Sequence, residues 1–442
     1  MRIHPFFRKL RFPVTLLLLL FASQAVSAAD GSMPTIAGIR IEFIIFALTL
    51  IAVALFHHKT MYVALTGLAV VLICKYIFTD FSLTAHIIGN AAHEGEWRIL
   101  LNLLGLLFGF AILAEIFKES RFPDILPHYL PDDWKGGFVL LVFIFILSSF
   151  LDNIAAAMIG GTIALVVFKG KVHIGYLAAV IAAANAGGAG SVVGDTTTTL
   201  MWIDGVSPLD VTHAFVASFA ALFVFGTVGS IQQDRYNRIV RDVRVNTIKV
   251  DWGRIGIVFL ILVCAILANY FLDFPALGVW IGILVSATIR KIPWHELKKA
   301  WMGTVFLMSL VTIASLMPVD ELPPASRWTA FALGFISAVF DNIPLTKLCL
   351  EQGGYDWGVL AYAVGFGGSM IWFGSSAGVA LSNLFPETRN TVNYIKSGWH
   401  VIVAYVVGFF VMLYIVGWHP HEPHKEKHME QKEVVIEKGE EQ

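Results

Sequence analysis

Ser148-Ser149-Phe150-Leu151-Asp152-Asn153-Ile154 and, in the second half of the chain, Ser337-Ala338-Val339-Phe340-Asp341-Asn342-Ile343 are the stretches whose reading decides the fold. Each sets an Asp-Asn pair inside an apolar segment, 137–168 and 328–350. The arm before each pair holds about 14 residues, roughly 21 Å of helix at 1.5 Å per residue. A hydrocarbon core of roughly 30 Å is too thick for that, so neither arm crosses a bilayer alone. Each segment is therefore expected to enter and leave on one side, as a re-entrant hairpin with the Asp-Asn pair at its tip. The likeness extends downstream: Gly187-Gly188, five residues and Gly194-Asp195 follow the first pair, and Gly367-Gly368, five residues and Gly374-Ser375 follow the second.

Around these segments the composition is that of a membrane protein. The chain has 442 residues, 57% hydrophobic and 14% charged, against roughly 25% charged in an average soluble domain. Its 31 basic and 32 acidic residues leave a net charge of -1, which excludes a nucleic-acid binder built on a basic surface. Cys74, Cys264 and Cys349 stand singly in apolar sequence, without the spacing of a zinc site or a disulfide framework. Candidate spans are 39–56, 61–78, 99–117, 174–202, 213–231, 255–272, 276–289, 301–317, 358–385 and 399–418. The fold class expected is an all-α polytopic membrane protein, an inverted repeat with two re-entrant hairpins and two broken transmembrane helices.

Charge placement supports the hairpins. With both segments re-entrant, 18 Lys and Arg fall in loops on one side and only Arg40, Arg98 and Arg327 on the other. By the positive-inside rule the first side is cytoplasmic. Making 137–168 a single crossing would send the six basic residues between Arg235 and Arg254 outside. Residues 1–28, with Arg2, Arg8, Lys9 and Arg11 before an apolar run and Val26-Ser27-Ala28 at the end, read as a cleaved signal peptide. The first transport repeat is then 39–231, a cytoplasmic linker 232–254 follows as a surface amphipathic helix, and the second repeat is 255–418. Residues 419–442 read as a disordered polar tail on the external side. Its His419, His421, His424 and His428 offer a weak metal-binding alternative without fixed geometry. The setting expected is the cytoplasmic membrane of a bacterium.

Broken helices near the bilayer midplane supply substrate and ion sites in many transporters, and an intramembrane carboxylate is a functional candidate by default. Asp152 and Asp341 are such acids, with Asn153 and Asn342 beside them; helix capping is the plainer reading, and the two roles can coexist. Asp195 precedes Thr196-Thr197-Thr198-Thr199 at a glycine break, an oxygen-rich set suited to a hard cation, although some of these threonines will only bond backbone carbonyls. The matching segment offers Ser375 and Ser376 and no acid. Asn185 can add an amide oxygen. Lys347, close behind the second tip, can pair with Asp341 or another acid and stand in for a bound cation.

These motifs resemble the NhaD-type sodium/proton antiporter family, within the wider ion transporter superfamily that also holds citrate, dicarboxylate and arsenite carriers. The most specific pieces are Leu151-Asp152-Asn153, Ala184-Asn185-Ala186-Gly187-Gly188-Ala189, Gly194-Asp195 with its threonines, Asp341-Asn342-Ile343-Pro344-Leu345 and Gly374-Ser375-Ser376-Ala377-Gly378. The resemblance implies cation binding and transport at Asp152, Asn153, Asp195, Thr197, Thr198 and Asp341. Gly190-Ser191-Val192-Val193, where the family tends to have an aromatic and a proline, and Lys347 depart from its pattern. The function expected is exchange of Na+ or Li+ for H+, with Na+ at Asp152, Asp195 and Asp341 and no cofactor. The partners expected are the lipid bilayer and small inorganic cations, with a homodimer allowed and no nucleic acid. Because protons and cations compete for the same acids, activity is expected to rise with pH. The alternative is a sodium- or proton-coupled carrier of an anion such as citrate, dicarboxylate or arsenite, against which three nearby acids argue by Coulomb repulsion. An intramembrane hydrolase using Ser375 or an aspartyl pair is the third class.

Overall fold

The computed structural model describes residues 34–36, 38–56, 59–90, 93–125, 129–239 and 249–421. The expected signal peptide, the linker residues 240–248 and the tail beyond 421, with His424 and His428, lie outside them. Two small antiparallel ribbons, β1 (Thr35–Ile36) with β2 (Ile39–Arg40) and β3 (Gly89–Asn90) with β4 (His93–Glu94), are the only strands among the described residues. Everything else regular is helix.

The first half runs α1 (Ile41–Leu55), α2 (Thr60–Phe78), α3 (Leu83–Ile88), α4 (Trp97–Glu119), α5 (Phe122–Ile125), α6 (Trp134–Ser148), α7 (Asn153–Val167), α8 (Ile174–Ala189), α9 (Thr196–Ile203), α10 (Pro208–Thr212) and α11 (Ala214–Tyr236). The second runs α12 (Trp252–Leu272), α13 (Pro275–Ile289), α14 (His295–Ser315), α15 (Arg327–Ser337), α16 (Asn342–Gln352), α17 (Trp357–Gly367), α18 (Ser376–Leu384), α19 (Thr391–Ser397) and α20 (Trp399–Ile415). Both Asp-Asn stretches break where expected, α6 giving way to α7 and α15 to α16. Both glycine-bearing spans break as well, into α8 with α9 and α17 with α18.

Among the described residues five helical segments, Thr60–Phe78, Trp97–Glu119, Pro208–Tyr236, Trp252–Leu272 and His295–Ser315, are long and apolar enough to cross a membrane, and α19 with α20, bent by 58°, makes a sixth. α1 and α13, expected as spans, have 15 residues each and fall short of that length. Large apolar side chains stand outward, Ile73, Phe259 and Ile289 at 57%, 68% and 68% exposure, a surface that only lipid or a partner makes tolerable. Of the linker, 232–236 simply continues α11. Of the expected tail, His421 is held in the fold: its N–H donates to the Tyr355 carbonyl at 3.0 Å and Gly354 N–H to the His421 carbonyl at 2.8 Å.

The helices form two groups. One is built on α8, buried from Gly175 to Ala189, and α17, buried along its whole length; these pack against each other, with α6, α7, α11, α15, α16, α18 and α20 around them. The other packs α1 on α2, α2 on α14, and α4 on α12, α13 and α14. Matching contacts recur in the two halves of the first group. Ser148 Oγ donates to the Ala184 carbonyl at 2.5 Å, and Ser337 Oγ to the Val364 carbonyl at 2.7 Å. A Cβ on Gly187 would stand 2.0 Å from the Phe145 carbonyl oxygen, and one on Gly367 2.3 Å from that of Gly334. Only glycine lets each broken helix press this closely on the first arm of its hairpin.

Candidate functional site

The breaks converge on one carboxylate. Asp195 precedes the first residue of α9 in extended backbone and is 2% exposed. Asn153 Nδ2, from the tip between α6 and α7, donates to its Oδ1 at 2.8 Å. Asn342 Nδ2, from the tip between α15 and α16, donates to its Oδ2 at 3.4 Å. Two tips from opposite halves thus address the two oxygens of a single acid. Asn153 Nδ2 also reaches Asn185 Oδ1 at 3.1 Å, and Asn185 Nδ2 donates to Ser369 Oγ at 2.9 Å and Ser375 Oγ at 3.0 Å. Asn185 is fully buried and links the two broken helices.

The amides leave acceptors over. Asn153 Oδ1 and Asn342 Oδ1 are buried without a hydrogen-bond partner. Each such oxygen costs about 1–3 kcal/mol if nothing answers it, and both belong to residues that touch Asp195. Amide and carboxylate oxygens are ligands for a hard cation, so the residues present fit an ion such as Na+ as a transported substrate.

The other candidates hold different positions. Asp152 and Asp341 are half-buried and cap their helices, accepting from the N–H of Ile154 and of Ile343, each at 3.1 Å. Asp152 lines the site's access route and Asp341 does not. Thr198 Oγ donates to the carbonyls of Ser191 at 2.6 Å and Asp195 at 2.9 Å, and Thr199 Oγ to that of Val192 at 2.9 Å. These two hydroxyls therefore stitch the helix break. Thr197 is fully buried in the first turn of α9. Ser375 accepts from the Gly378 N–H as well as from Asn185, partners that activate no nucleophile. Ser376 opens α18, half-buried. Ser369 was missed, although it directly follows the Gly367-Gly368 pair.

A cavity of about 620 Å³ leads to the site between α4, α7, α9 and α14. Its deep wall includes Asp152, Asp195, Thr196 and Thr199, and its rim Glu115, Lys118, Glu296 and Lys299. Rim charges are paired: Lys118 lies 3.3 Å from Glu115 and Lys299 2.5 Å from Glu296. The cavity therefore abuts a carboxylate that the rest of the fold buries.

Lys347 is fully buried, and its pairing is with other acids than Asp341. Its Nζ lies 2.5 Å from Glu351, 3.0 Å from Glu96 and 3.5 Å from Asp204. The turn spacing of Lys347 and Glu351 was legible in the sequence; Glu96 and Asp204 come from distant helices, and nothing local pointed to them.

Apolar outer faces, several helices long and apolar enough to cross a membrane and polar helix breaks packed together define an all-α polytopic membrane protein. No family model matches the chain, but curated relatives do. It is 28% identical over 295 residues to "Sodium/proton antiporter 1" of Arabidopsis thaliana, covering 57% of this chain and 50% of that protein. It is 26% identical over 332 residues to the "Na(+)/H(+) antiporter NhaD" of Vibrio parahaemolyticus, covering 61% of this chain and 77% of that protein. A "46 kDa membrane protein" of Mycobacterium leprae is 22% identical over 76% of this chain and 88% of its own length. The chain is thus similar to sodium/proton antiporters of the NhaD type, the resemblance its motifs carry, and its match spans half the length of the first Arabidopsis protein.

Proposed function

We propose that this chain is a secondary transporter in a bacterial cytoplasmic membrane, exchanging Na+ or Li+ for H+. The observation that carries the proposal is Asp195, held by amides from both hairpin tips, with the two tip amide oxygens unanswered and a cavity reaching it from one side. A proton or a cation can neutralise this carboxylate. If each displaces the other, their opposite movements are coupled by alternating access. The matching Ser148 and Ser337 bonds support an inverted repeat, since equivalent halves facing opposite ways supply two equivalent conformations. In this reading the cavity mouth faces the cytoplasm and the C-terminal tail the exterior, an orientation that the positive-inside rule supports through the basic loops. Asp152, on the cavity wall, serves the ion's path, and Asp341 is its counterpart on the closed side. An anion carrier is disfavoured: the wall beside the site presents Asp152 and Asp195, and Lys347 is already enclosed by three acids.

Purified protein in liposomes with an internal pH dye tests this. Addition of Na+ or Li+ should move protons, increasingly so from neutral to alkaline pH. Absence of a pH change with Na+, Li+ or K+ throughout that range, or sodium-dependent uptake of labelled citrate or succinate, would overturn it.

A further inference from the structure

The Lys347 cluster lies at the opposite end of the molecule from the cavity mouth. Glu96 caps the start of α4 and Lys118 stands in its last turn, so about 22 residues, roughly 33 Å of helix, separate them. The cluster bridges the two helix groups: Lys347 and Glu351 sit on α16 and Asp204 ends α9 in one, while Glu96 begins α4 in the other. At the cavity these groups part. At Lys347 they are pinned together.

The repeat makes the contrast specific. Counting from each tip acid, Met158 stands where Lys347 stands, six residues on, and Thr162 where Glu351 stands, ten residues on. Met158 and Thr162 line the open cavity, together with Glu296 in the first turn of α14. Glu96, at the start of the equivalent helix α4, is among the acids around Lys347. One position is thus a cavity wall in the first half and a buried ion-pair cluster in the second.

We propose that Lys347, with Glu96, Asp204 and Glu351, is the gate that closes the external half of the transport path. Its ammonium occupies the place of a cation between acids of both helix groups. Outward opening separates Lys347 from Glu96, while the cytoplasmic cavity closes over Met158. A buried ion pair suits such a role because separating it leaves uncompensated charge, and packed interfaces switch between discrete arrangements rather than deforming by degrees. The inference rests on the transport reading for its direction, and its test needs no ion movement.

The test uses the full chain with Cys74, Cys264 and Cys349 replaced by Ser, carrying either Leu348→Cys, on α16 beside Lys347, or Met158→Cys, in the cavity. A membrane-impermeant maleimide is applied to right-side-out and to inside-out vesicles. With the native gate, the thiol at 158 should react quickly from inside and the thiol at 348 hardly at all from outside. Glu96→Gln, and separately the pair Lys347→Met with Glu351→Thr that copies the first half, should raise external reaction at 348 at least tenfold and slow internal reaction at 158. External reaction that stays low in both variants overturns the gate. So does a rise at 348 without the fall at 158, which marks local loosening only. Failure of antiport with this reciprocal shift intact would overturn the transport reading and leave the gate standing.

Discussion

Asn342 Nδ2 lies 3.4 Å from Oδ2 of Asp195, a contact between residues 147 positions apart and from opposite halves of the chain. It brings the second hairpin tip to an acid that only the first half possesses. The second half contributes Ser375 at the equivalent break, and that hydroxyl is already held by Asn185. One buried carboxylate is therefore contacted from both halves of the chain.

The two tip amides should differ in weight. Asn153 is at 2.8 Å from the carboxylate and Asn342 at 3.4 Å. Losing a hydrogen bond to a charged group costs about 1.5–3 kcal/mol, or roughly a 10- to 100-fold change in affinity. Asn153→Ala should raise the Na+ concentration for half-maximal exchange by at least about tenfold, and Asn342→Ala by less. Equal or absent effects in the vesicle assay would remove the tips from the site.

The paired serines should behave alike. Ser148→Ala and Ser337→Ala each remove a buried bond to a broken helix, worth about 1 kcal/mol. Both should lower the thermal midpoint in detergent by similar amounts, and the double variant by about their sum, since the two bonds share no partner.

How much of this was legible in sequence depends on reach. The hairpin breaks were readable because an Asp-Asn pair within an apolar stretch has few other uses, and the broken spans because glycines punctuated them at the same interval. The acid was readable from its cost. What escaped was long-range: that Asn185 links Ser369 and Ser375, and that Glu96 and Asp204 converge on Lys347, depend on helix packing that no local spacing encodes. Thr198 and Thr199 looked like ligands by composition, and their hydroxyls turned to backbone carbonyls freed by the break.

Asp356, just before α17 and outside the spanning segment, gives a pH signature. Burial alone would raise its carboxyl, but hydrogen bonds from His213 at 2.7 Å, the Val359 N–H and the His419 N–H outweigh this and hold it below the ordinary carboxylate range. A depressed acid stabilises the fold above its unfolded value, about 3.9, and that stability is lost as pH falls through the folded value. Asp356→Asn should therefore lower the thermal midpoint at pH 7, with a penalty that shrinks below about pH 4. A penalty independent of pH would show that packing, and not charge, is what the residue supplies.

Proton release on cation binding tests the central claim most directly, because it reads the site without requiring turnover. Purified protein in weakly buffered detergent solution is mixed with NaCl near the pH of half-maximal activity, with choline chloride as the control. The wild-type chain should release protons on adding Na+, saturably, and Asp195→Asn should release none while keeping the wild-type elution volume. Equal release from both proteins, or Na+ binding with no proton released at any pH from neutral to alkaline, would contradict competition at Asp195.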